Sequence, residues 1–139
     1  MEFTNRFLKL FVVLFVLHSL NGRAYQVKHL SVENGLSNGT VNAFATDSLG
    51  YVWIGTSIGL NRYSGYEIKQ YSISDFSNTK NNNIKEVINY NGELYIVGRD
   101  GVFLKYRYHQ NDFVELFHQP AFQFISACVI DNKIIFGLA

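Results

Sequence analysis

The sequence predicts an all-β fold made of four-stranded β-propeller blades behind an N-terminal signal helix, and three observations lead there. The first is composition. Aromatic residues make up 16% of the chain, with nine Tyr and twelve Phe, beside eleven Gly, fourteen Asn and a single Pro. Aromatic and β-branched side chains suit pleated surfaces, and Gly and Asn supply tight turns. The second is alternation: short apolar runs are separated by Gly, Asn, Asp or Ser, as hairpins require. The third is recurrence. Gly55, Gly98 and Gly137 each close a hairpin pattern at spacings of 43 and 39, and Gly59 and Gly101 follow the first two at a spacing of 42. A period near 40 with four strand signals per unit is the signature of a propeller blade.

Composition also sets bounds. A chain of 139 residues with 47% hydrophobic and 17% charged residues is globular, not disordered. A net charge of +1 gives no electrostatic case for nucleic acid or an acidic membrane surface. One cysteine makes neither an internal disulfide nor a thiolate metal site.

Residues 1–24 read as a secretory signal peptide. Arg6 and Lys9 precede the apolar run Leu10–Leu17, which His18, Ser19 and Asn21 end. Gly22 and Ala24 are small residues at the positions a signal peptidase requires, so export with cleavage after Ala24 is expected. The competing reading, an uncleaved anchor, conflicts with a run far shorter than the roughly 20 residues that span a bilayer.

The first blade covers residues 36–75. Its strands are expected near Val41–Thr46, Tyr51–Thr56, Leu60–Tyr63 and Ile68–Tyr71, with turns at Asp47–Gly50 and Ser64-Gly65. The second blade, residues 76–119, opens on a polar connector, Phe76–Asn83, read as a solvated loop. Its strands include Ile84–Val87, Leu94–Gly98, Val102–Tyr108 and Phe113–Phe117. Residues 120–139 hold only the first hairpin of a third blade, turning at Asp131-Asn132. Blades pack both faces against neighbours, so their middle strands must be apolar. Trp53, Ile96 and Ile135 fit that role, and the glycines at 55, 59, 98, 101 and 137 permit close backbone approach or positive φ. Cys128, inside an apolar run, is expected to be a buried structural thiol.

The stretch from Leu36 to Tyr71 resembles the two-component regulator propeller repeat. The residues that carry the likeness are Leu36-Ser37, Val41, Asp47, Gly50, Trp53-Ile54-Gly55-Thr56, Gly59-Leu60 and Arg62-Tyr63. It weakens in the second unit, where Ile96 and Arg99 replace the Trp and Thr. The resemblance implies that residues 25–35 serve as a closing strand for the last blade of a complete ring. It also implies the periplasmic sensor region of a hybrid histidine kinase, often responsive to oligosaccharides, homodimeric when full length and followed by kinase domains. This chain carries none of those later parts. Two and a half blades fall short of the typical 4–8, so the chain reads as a piece of a longer sensor whose partners are the remaining blades and downstream domains. Alternatives are a secreted propeller acting on or adhering to glycans, and a nonfunctional truncated reading frame.

No catalytic, metal or cofactor site is expected. His29, His109 and His118 are scattered without partners at ligand spacing. Binding is the better reading. On propellers, ligands gather where the loops before the first strand and after the second strand of each blade meet. Here those loops hold Asn38, Gly39 and Thr40, then Thr56, Ser57 and Ile58, then Arg99 and Asp100. Asn38, Thr40, Thr56 and Ser57 suit sugar hydroxyls, and Arg99 suits an acidic group. The bland alternative is that these are ordinary solvated loops.

Overall fold

The computed structural model describes residues 26–139, so the signal segment lies outside the described residues. They form two four-stranded antiparallel sheets and one hairpin. The first sheet runs in order β1 (Val41–Thr46), β2 (Val52–Thr56), β3 (Leu60–Tyr63) and β4 (Ile68–Tyr71). The second runs β5 (Ile84–Tyr90), β6 (Glu93–Gly98), β7 (Val102–Arg107) and β8 (Asp112–His118). The hairpin pairs β9 (Phe124–Ile130) with β10 (Lys133–Leu138). Each sheet is a meander whose neighbours in sequence are neighbours in space, which is the blade architecture.

Turn chemistry explains the hairpins. Asn91 and Gly92 have φ of 53° and 78°, and Asp131 and Asn132 have 46° and 64°. Two consecutive positive φ values belong to the type I′ turn, whose twist matches that of paired strands. Asn and Asp tolerate that region better than other side chains, so the turns fall where those residues stand.

The sheets stack face to face. Between the first two blades lie Trp53, Leu60 and Tyr71 on one side and Ile84, Ile96, Leu104, Tyr106 and Phe113 on the other. Between the second blade and the hairpin lie Val97, Phe103 and Phe124, with Phe117 and Phe136 packed against them. Gly55 sets the first approach: a Cβ there would lie 2.5 Å from Ile84 Cγ2. Gly101 is needed twice over, because its φ is +77° and a Cβ would lie 2.0 Å from the Gln119 carbonyl oxygen.

Trp53 is fully buried, and its indole Nε1–H donates to Asp47 Oδ2 at 2.7 Å. The other carboxylate oxygen accepts from the backbone N–H of Leu49 at 2.9 Å and Tyr51 at 3.0 Å. One buried carboxylate therefore closes the β1–β2 turn and fixes the core tryptophan. Arg62 crosses the blade boundary. Its Nη1 donates to Tyr106 Oη at 2.9 Å and Asn111 Oδ1 at 2.8 Å. Its guanidinium lies over the rings of Tyr51, Trp53 and Tyr71 at 4.5, 5.7 and 5.8 Å. Burial pushes the Tyr71 phenol up to about 12, against the lowering effect of Arg62, and burial raises that of Tyr106 too.

Three expectations need correction. Cys128 is exposed, and Ile135 is 47% exposed. The two are cross-strand partners on the face of the β9–β10 hairpin turned away from the second blade, where no described residue covers them. Residues 26–35, expected to close the last blade of a complete ring, lead here into a short 3-10 turn, Val32–Asn34, beside the open edge of β4. The connector is not wholly solvated. Thr79 is 4% exposed, with a hydroxyl bonded to Asn81 and Asp100, and Phe76 packs on Phe113 at 5.1 Å between centroids.

Candidate functional site

The loops before the first strand of each unit and after the second meet at one end of the stacked sheets. The same backbone hydrogen bond recurs there in every unit. The N–H of Ser57 donates to the Thr40 carbonyl at 3.2 Å, that of Arg99 to Asn83 at 2.9 Å, and that of Ala139 to Gln123 at 3.0 Å. Thr40, Asn83 and Gln123 are thus equivalent positions, as are Ser57, Arg99 and Ala139, so Arg99 corresponds to Ser57 and not to Thr56 as the glycine spacing implied. In the first two units the preceding loop is closed by the same Asx turn. The N–H of Thr40 donates to Asn38 Oδ1 at 2.8 Å, and that of Asn83 to Asn81 Oδ1 at 2.9 Å. Asn competes well for such local bonds, which is why it recurs at this place.

The rim is tied across the blades. Asn42 Nδ2 donates to the Ile84 carbonyl at 2.8 Å and to Asn83 Oδ1 at 3.3 Å. Below it, a polar network locks the loop after β2. Asn61, fully buried, donates through Nδ2 to Ser37 Oγ at 2.9 Å and to the Ile54 carbonyl at 3.0 Å, and accepts the Ser37 N–H at 2.8 Å. Ser37 Oγ and Thr56 Oγ1 are 2.8 Å apart, and Thr56 donates to the Gly59 carbonyl at 2.9 Å. Each hydroxyl has one proton, so the order must run Asn61 to Ser37 to Thr56 to Gly59.

The sequence-expected residues therefore divide. Thr40 and Arg99 are exposed, and Asn38 and Ser57 are half-buried at the rim. Thr56 is fully buried, with its hydroxyl committed to Ser37 and Gly59. The Asp100 carboxylate turns inward, accepting from Thr79 and standing 3.9 Å from His118 Nε2. Three rim residues escaped the sequence reading: Asn42, Asn83 and Gln123. A signal existed, since Asn38-Gly39-Thr40 and Asn81-Asn82-Asn83 repeat an Asn two places before the rim residue, 43 residues apart.

Residues 35–57 match the family profile described as two component regulator propeller. A search of the curated proteins finds no match. Among solved structures, the chain is similar to the extracellular domain of the hybrid two component system BT3049 from B. thetaiotaomicron. The two are 25% identical with a TM-score of 0.56, over 70% of this chain and 14% of that one. It is also similar to the extracellular domain of the one component system BT4673 from the same organism. That pair is 18% identical with a TM-score of 0.64, over 87% of this chain and 18% of that one. The second likeness speaks for the fold alone. The chain thus spans less than a fifth of the length of either structure.

Proposed function

We propose that this stretch of two-component regulator propeller is part of the exported sensing region of a hybrid two-component signalling protein, and that it recognises an oligosaccharide without transforming it. The observation that carries this reading is the coincidence of the family match at residues 35–57 with the 25% identity to the extracellular domain of such a system. The rim chemistry agrees with it. Asn, Thr, Ser and Arg side chains at a loop-lined edge offer donors and acceptors of the kind that hydroxyl-rich ligands require.

The mechanism is a population shift. A ligand seated across loops from several blades stabilises one arrangement of a longer, dimeric receptor, and the differential affinity supplies the signal to a kinase across the membrane. This chain supplies a share of the binding surface, and the remaining blades of the ring supply the rest. The test is titration of the sensing region, this chain together with the blades that complete its ring, with a panel of oligosaccharides by calorimetry, with chromatography of the sugars afterwards. Saturable heat with intact sugar supports the reading. Cleaved sugar, or no heat from any member of the panel, contradicts it.

A further inference from the structure

We infer that the rim selects an acidic saccharide, one bearing a carboxylate or sulfate, and that Arg99 is its anion receptor. The inference rests on the sensing role proposed above and sharpens it to a ligand class. Three arginines fall among the described residues. Arg62 is held by Tyr106 and Asn111 under aromatic rings. Arg107 is bidentate to Asp112, at 2.8 Å from Nε and 2.6 Å from Nη2. Arg99 is exposed, and its guanidinium makes no hydrogen bond or ion pair within the described residues.

Its neighbour in sequence would ordinarily neutralise it. Asp100 does not, because its carboxylate is bonded to Thr79 and directed toward His118. The Arg99 guanidinium is therefore not ion-paired to it and stays open to a ligand. Uncharged hydrogen-bonding groups stand on one side of it. The Arg99 N–H is bonded to Asn83, the Asn83 side chain to Asn42, and Asn42 lies two places beyond Thr40, whose carbonyl holds Ser57. A guanidinium presents paired N–H groups that match a carboxylate or sulfate in a fork, while flanking amides and hydroxyls suit sugar hydroxyls. A neutral sugar would leave that fork unmatched.

The experiment titrates the full chain with three probes of similar size: a galacturonate trisaccharide, a sulfated galactose trisaccharide and the neutral galactose trisaccharide. The expected result is that one acidic probe binds at least tenfold more tightly than the neutral one, and that Arg99→Gln removes this preference. Arg107→Gln, at a paired arginine distant in the fold from the rim, should leave it intact. Preference for the carboxylate or for the sulfate then identifies the anion. Equal binding of neutral and acidic probes, or a preference that survives Arg99→Gln, overturns the inference while leaving saccharide sensing in place. Binding of none of the probes overturns the inference and counts against the sensing role as well.

Discussion

The residue that couples turn, core and blade boundary most tightly is Asp47. It satisfies the indole of Trp53 and the two backbone N–H groups of its own turn. Removing it strands a buried donor, which costs about 2–3 kcal/mol. Urea unfolding of Asp47→Ala should show that loss, and the double variant Asp47→Ala/Trp53→Phe should lose less than the sum of the singles, because the shared bond is counted twice. Strict additivity would contradict the pairing. Tyr71 makes a second residue-scale prediction. Its folded pKa is raised to about 12 by burial, above the ordinary value of 10.0. The unfolded chain then holds fewer protons than the folded one between these values. Stability is therefore unaffected by this group below pH 10 and falls as pH rises from about 10 to 12. Tyr71→Phe should flatten that part of the stability profile, and an unchanged slope would assign it elsewhere.

At the scale of elements, the strand ladder was legible because its punctuation is local. Asn91-Gly92, Asp131-Asn132 and Ser64-Gly65 announce turns from two adjacent residues, so β3 and β4 fall where the sequence placed them. What could not be read are contacts between partners far apart in sequence. Ser37, Thr56 and Asn61 look like surface polar residues, yet they form a network spanning up to 24 positions that buries two of them completely. Cys128 shows the opposite error. An apolar run says that a strand is buried on some face, not which residues turn toward which neighbour. Thr79 was misplaced because a polar connector gives no sign that a distant Asp100 will accept its hydroxyl. Two predictions belong here. Gly55→Ala drives a methyl into Ile84, so it should cost about 1–3 kcal/mol by overpacking. Gly55→Ala/Ile84→Ala should cost less than the sum of the two singles, as denaturant midpoints will show. The β9–β10 hairpin, paired on one edge and open on one face, should exchange its amide hydrogens faster than β6 and β7. Equal protection would contradict the assigned packing.

At the scale of the molecule, the stacking of similar sheets places equivalent residues at equivalent points of one rim. The repeat thereby provides both the architecture and the means to vary it. Thr40, Asn83 and Gln123 occupy one position in three units, and Ser57, Arg99 and Ala139 another. Side chains at these positions can vary without touching the blade cores, which are held by Trp53, Ile96 and Phe103 beneath. The rim was half visible in the sequence. Its loops could be named from the repeat, but which side chains face outward depended on the Asp100–Thr79 and Thr56–Ser37 bonds. The central claim is noncovalent recognition of a saccharide at this rim. Hydrogen–deuterium exchange of the purified chain, with and without a saturating oligosaccharide, tests it most directly. Added protection is expected only in the loops around residues 38–42, 57–58, 81–84, 98–100 and 123. Protection centred instead on the turns at the opposite end, near residues 64–66 and 109–111, or no change with a sugar that demonstrably binds, would contradict it.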